Sequence, residues 1–230
     1  MNKKISIAIS NLVQITIFVF LLSWSGCTYN TERKLNNNAT VTDCFTREEI
    51  KDLTKLLDFF NEQICVLKST EKKKVIECYD GFIERMSKTV ETGSFEINIS
   101  FEKQYEIYKQ ISDSVFNQIW VFGRSWSRSS PDTLKRIDYR VDGKYVKFLK
   151  ELGNDYDMIK TYSMSLELAY SLSPSMIGEI LMIKEEYQYD LTDIRLQLVV
   201  AIHYLTMNDQ FERKEKYSPT SDTRTLFDKD

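Results

Sequence analysis

The chain reads as all-α, a multi-helix bundle of antiparallel helices. Three observations lead there. Gly and Pro number only seven and three in 230 residues, too few to punctuate a strand-rich fold. Apolar residues recur at alternating spacings of three and four along most of the chain, the pattern of one helix face. Ser, Thr or Asp heads several of these stripes in capping patterns. Tyr and Phe, thirteen each, supply large rings to fill the interfaces between helices.

The clearest helix is expected over 46–68. Thr46-Arg47-Glu48-Glu49 is a capping box: the Thr46 hydroxyl accepts from the Glu49 amide, and the Glu49 carboxylate reaches back. Phe45 and Ile50 hold the staple positions around it. Ile50, Leu53, Leu57, Phe60, Ile64 and Leu67 form one stripe on a rod about 34 Å long. Ser69-Thr70 turns the chain. A second stripe, Val75, Tyr79, Phe82, Met86 and Val90, stops near Gly93, a C-cap residue type. The pair makes an antiparallel hairpin with Cys65 and Cys78 at the same height. They are either a disulfide or two buried thiols acting as small apolar residues. Cys44 stands about 30 Å away along the helix axis and does not compete.

Phe95, Ile97, Ile99 and Phe101 alternate, but a lone strand has no partner, so 94–100 reads as an extended connector. A third helix is expected over 101–122, with Tyr105, Tyr108, Ile111, Val115, Ile119 and Phe122 along one side and Gly123 at its end. Behind it, Arg124-Ser125-Trp126-Ser127-Arg128 puts two arginines around a Trp, with Trp120 one turn back. Trp120, Arg124, Trp126 and Arg128 are therefore the candidate ligand- or partner-binding residues. Arg and Trp together suit an anionic or aromatic ligand, or the hot spot of a protein interface. The competing reading is a Trp that plugs the end of the bundle while the arginines are solvated.

Ser130-Pro131 is a cap followed by proline at the first helical position. Over 134–152 we expect a helix, interrupted near Gly143, on the strength of Tyr145, Phe148, Leu149 and Leu152. Ile137, Tyr139 and Val141 alternate before Asp142-Gly143, which would instead suit a hairpin turn. Another helix is expected over 155–171, and Ser173-Pro174 opens one carrying Met176, Ile177, Ile180 and Leu181. In the last helix Asp190 is read as the cap, with Asp193 at the third position. The run 198–202 is apolar nearly all round, which marks a helix enclosed by others and places it at the centre of the bundle.

The N-terminus carries a different message. Lys3 and Lys4 precede an apolar segment, cleanest over 15–22, that ends on Ser23-Trp24-Ser25-Gly26-Cys27. A positive start, a short apolar core and small residues before a cut are the parts of an export signal. Ser25-Gly26-Cys27 resembles the lipobox of bacterial lipoproteins, whose usual form is Leu, a small residue, Gly or Ala, then Cys. Trp24 stands where Leu is usual. The resemblance covers residues 1–27. It implies a diacylglycerol on the Cys27 sulfur, cleavage before that residue, and an acyl chain such as palmitate on the new amino terminus. Two or more chains hold a protein stably at a membrane. The organisation expected is thus 1–26 signal peptide, 27–43 lipidated cysteine and flexible tether, 44–211 helical domain and 212–230 flexible tail. The polar 28–42 run, with Asn36-Asn37-Asn38, is read as the tether on composition. Surface-directed lipoproteins of some bacteria carry an acidic run after the cysteine. Residues 28–34 have none, so a periplasm-facing position is favoured.

Removing 1–26 takes away two lysines and no acid, moving the net charge of −3 further negative. That argues against nucleic acid as a partner. His203 is the single histidine, and no Cys/His spacing suits a metal. No phosphate loop, serine elbow or carboxylate pair is readable, so no catalytic residue and no cofactor is assigned. The functional expectation is a lipid-anchored envelope protein acting by protein–protein interaction or scaffolding. A small-molecule-binding lipoprotein using Trp120, Arg124 and Trp126 is the alternative, and an envelope enzyme without a motif the next.

Overall fold

In the computed structural model, which describes residues 25–65, 75–92, 97–126, 132–169 and 189–217, helices α1 (Ser25–Asn36) and α2 (Ala39–Thr42) occupy most of the expected tether. The correction has a simple cause. Leu35 and Val41, two apolar residues in a polar run, are fully buried in the core. The Thr31 hydroxyl donates to Asp58 at 2.7 Å, and Asn38 caps α2 by accepting from the Val41 amide at 3.3 Å. Composition reads a segment alone, whereas here a neighbouring helix supplies the apolar surface.

Helix α3 (Arg47–Cys65) starts on the capping box. The Thr46 amide donates to Glu49 at 2.8 Å and the Glu49 amide to the Thr46 hydroxyl at 3.3 Å. Phe45 and Ile50 are both buried beneath it. Helix α4 (Val75–Thr92) packs against α3, and Cys65 and Cys78 are disulfide-bonded with their Cα atoms 5.1 Å apart. Cys44 is a free, buried thiol. Residues 97–100 are extended, with Ile97 and Ile99 buried and Asn98 in the left-handed region at φ 56°.

The helix expected over 101–122 is two helices and the beginning of a strand. Helix α5 (Phe101–Gln110) ends where Ser112 caps α6 (Asp113–Ile119) by accepting from the Val115 amide at 3.2 Å. The Ser112 amide itself donates to Asp52 of α3 at 2.8 Å. A serine that offers the backbone another partner favours a helix start over a helix interior. From Trp120 the chain runs extended as β1 (Trp120–Trp126), antiparallel to β2 (Thr133–Tyr139), with Trp120 opposite Tyr139 and Trp126 opposite Thr133.

The reading of 134–152 as helix is thereby corrected. Its first part is β2, because the alternating Ile137 and Tyr139 have a pairing partner in β1. Asp142-Gly143 turns the chain from strand into helix α7 (Lys144–Leu152). Among the described residues the architecture is mostly helical with one small two-stranded sheet, roughly consistent with the helical bundle expected.

Helix α8 (Asp157–Ala169) follows, and the helix expected from Ser173-Pro174 lies outside the described residues. Helix α9 (Ile194–Glu212) is capped by Asp193, whose carboxylate accepts from the Arg195 amide at 2.8 Å. Asp190, expected as the cap, accepts from the Thr192 amide in the turn before it. Every residue of α9 from Leu196 to Asp209 is buried, and it packs against α1, α3, α5 and β2 at the centre of the fold. The tail expected to be loose from 212 is ordered through 217. The Lys135 amide donates to Glu215 at 2.8 Å and the Tyr217 amide to Thr133 at 2.9 Å, so this segment lines the outer edge of β2.

Candidate partner-binding surface

Strand β1 leads from the core into solvent. With side chains alternating between faces, Trp120, Phe122, Arg124 and Trp126 share one face. Trp120 at its root is fully buried between Tyr108 and Phe116, and its indole N–H donates to the Thr206 hydroxyl at 2.8 Å. Phe122 is half-buried against Phe116. Arg124 is exposed, with its guanidinium 5.0 Å from the centre of the Tyr217 ring. Trp126, at the far end, is 79% exposed. Gly123, on the opposite face, leaves room for the Asp138 carboxylate, 2.8 Å from where a Cβ would stand.

The four residues singled out in the sequence therefore divide. Trp120 belongs to the core and takes no part in a surface site, a correction that follows from the strand alternation. Arg124 and Trp126 share a surface. Arg128 lies outside the described residues, as do residues 1–24 and the side chain of Cys27, which falls within α1. Among the described residues, Arg124 forms no ion pair, whereas Lys135 pairs with Glu215, Arg136 with Asp138 and Lys216 with Asp132.

A buried ion pair anchors this surface and was not anticipated. Arg213, just past α9, meets Asp209 through two bonds of 2.7 and 2.6 Å and Glu215 through one of 2.8 Å. Its guanidinium lies over Phe101, Tyr105 and Phe122 at 5.5, 5.9 and 5.1 Å. Burial opposes the charge on Arg213, but the Asp209 and Glu215 carboxylates prevail and hold it ionised. Burial pushes the Asp209 carboxyl up, against the pull of Arg213. Removing one member of such a pair costs about 3–5 kcal/mol. The signal was present as Asp209 and Arg213 four residues apart, but 212–230 read as tail. The pair fixes the segment that flanks β2.

No family model, curated protein or solved structure matches this chain.

The remaining titratable groups offer little chemistry. His203 is fully buried in α9, its Nδ1 3.0 Å from the Tyr162 hydroxyl in a tyrosine-lined interior. Burial raises the Cys44 thiol, the opposite of what a reactive cysteine needs. Among the described residues no three His, Cys, Asp or Glu side chains group to hold a metal ion. Among them, too, no helix is long and apolar enough to cross a membrane. An apolar hollow beside α8 and α9 is lined by Met158, Ile159, Tyr189, Leu191, Leu196 and Val199.

Proposed function

We propose that this is a lipid-anchored, mainly helical protein of a bacterial cell envelope, facing the periplasm, that acts by binding another protein. The observation that carries the binding part is Trp126, 79% exposed at the solvent end of β1 beside the exposed Arg124, which forms no ion pair among the described residues. A large ring held in water by a strand rooted in the core is unfavourable for the isolated chain. Trp and Arg are also the residue types that dominate binding energy at interfaces. The anchoring part rests on Lys3 and Lys4, the apolar segment and Ser25-Gly26-Cys27. The Cys65–Cys78 disulfide supports it, since such bonds persist in oxidising compartments outside the cytosol. The small-molecule reading is weaker, because Trp120 is buried away from Arg124 and Trp126 and the hollow beside α8 offers no charged group to orient a ligand.

Two measurements test the proposal. Cys27→Ser should block acylation and the cleavage that depends on it, and a product that is processed as before and stays as firmly in the membrane fraction rejects the anchor. Affinity capture from envelope extracts should recover a partner with the wild-type chain and lose it with Trp126→Ala. That variant should melt within about 0.5 kcal/mol of wild type, because the side chain is exposed. A lowered melting temperature with unchanged capture would make Trp126 a structural plug.

A further inference from the structure

Among the described residues the hydrogen-bond phase of the sheet leaves one strand edge open. The Arg140 amide donates to the Ile119 carbonyl at 2.9 Å, which makes Trp120 and Tyr139 a non-hydrogen-bonded pair. Bonded pairs then alternate with it: Val121 with Asp138, Gly123 with Arg136 and Ser125 with Leu134. The backbone N–H and C=O groups of Phe122 and Arg124, and the N–H of Trp126, consequently point away from β2.

On β2 three of the equivalent outward groups are satisfied. Lys135 donates to Glu215, Thr133 accepts from Tyr217, and Ile137 accepts from the Gln210 side chain at 2.7 Å. Among the described residues β1 has no such cover, and its edge from Phe122 to Trp126 is unpaired. Unpaired edges are templates for another strand, and proteins usually cover or disrupt them. Among the described residues β2 is flanked by 213–217 and β1 is open, on the strand that also carries the exposed Trp126.

The side chains beside that edge specify what fits. An added strand places its residues directly opposite those of β1 on each face. Opposite Arg124 a carboxylate is favoured and a cation disfavoured. Two residues to either side of it, apolar side chains would lie against Phe122 and Trp126. We propose that the free edge of β1 takes an extended acidic segment of a partner protein as an added strand, with a carboxylate facing Arg124 and apolar residues two positions before and after. This rests on the partner-binding reading above and supplies the mode and chemistry of that binding. It is the mode in which main-chain bonds give affinity and alternate side chains give specificity.

The test uses the purified full-length chain in detergent and labelled synthetic peptides of nine residues. The first has Asp at its centre, Val two positions to each side, and Thr or Ser elsewhere. The second has Lys for Asp. The third keeps the Asp sequence but is N-methylated at the amides that would pair with β1. The first should bind and slow hydrogen exchange at the Phe122 and Arg124 amides, and the other two should not. Arg124→Glu should weaken the Asp peptide about tenfold and improve the Lys peptide by a similar factor. Equal binding of the N-methylated peptide overturns strand addition, and equal binding of Asp and Lys peptides overturns the acidic partner. No binding of the Asp peptide overturns the proposal. So does concentration-dependent self-association that protects the same amides without peptide, since the edge would then serve a second copy. These outcomes are separate from the capture experiment, in which loss of partner with Trp126→Ala stands or falls by itself.

Discussion

Among the described residues Asp58 accepts one hydrogen bond, from Thr31, and its other oxygen is buried without a partner. Burial first, and the Glu62 charge behind it, raise this carboxyl above its ordinary range, only partly offset by the Thr31 hydroxyl. A carboxyl raised in the folded state contributes stability below its unfolded value of about 3.9 and loses that contribution as pH rises through the folded value. At neutral pH its ionisation therefore opposes folding. Asp58→Asn keeps an oxygen for Thr31 and removes the charge. The variant should melt about 2–4 °C above wild type at pH 7, a gain of about 1 kcal/mol. The difference should vanish near pH 3, and a variant that melts lower at pH 7 would show that the carboxylate is better satisfied than its geometry suggests. Glu49, Asp52 and Asp193 behave oppositely. Burial raises each, but Lys144, Lys55 and Arg195 respectively, with local backbone and hydroxyl donors, outweigh it and hold all three below the usual range.

Gly143 shows how an element boundary is decided by its neighbours. Asp142-Gly143 suits a hairpin turn, yet Gly143 is the N-cap of α7 with φ −86° and needs no unusual backbone. What it needs is space: a Cβ there would stand 2.3 Å from the backbone oxygen of Gln118. Gly143→Ala should lower stability by about 1–3 kcal/mol, since a backbone and not a flexible side chain must yield. Chemical denaturation would detect this, and an unchanged midpoint would mean that α6 and α7 slide apart freely. The same principle explains the other misread elements. Caps and stripes act within a few residues, so α3 and α4 were legible, as was the enclosed character of α9. The path 101–126 required a partner. Ser112 breaks the helix partly because Asp52 of α3 waits for its amide, and β1 exists because β2 lies beside it.

The whole molecule is closed by contacts between distant segments. One core cluster runs from Leu35 in α1 to Met207 in α9, and the chain past α9 returns to flank β2. The Cys65–Cys78 disulfide ties α3 to α4 across 13 positions of sequence. Cross-links over loops of this size stabilise by about 3 kcal/mol. Replacing both cysteines with Ser should therefore lower the melting temperature by about 6–12 °C. A reductant should lower the wild type equally and leave the double variant unmoved. A wild type indifferent to reductant would mean that the α3–α4 pair is held by its apolar stripe alone.

The candidate surface was half legible. Arg124 and Trp126 stood out by residue type. Strand alternation, which puts Trp120 in the core, and the pairing phase, which opens the edge of β1, require the register with β2. The amino-acid order alone was enough for the capping box, the α3 and α4 stripes, the matched heights of Cys65 and Cys78, and the enclosed helix, because each depends on spacing within one or two helical rods. Folding in three dimensions decided the sheet, the docking of α1 and the segment 213–217, and the burial of Arg213. Each of those depends on a surface or a charge supplied by residues far away in the chain, and no local pattern records where such a partner will arrive.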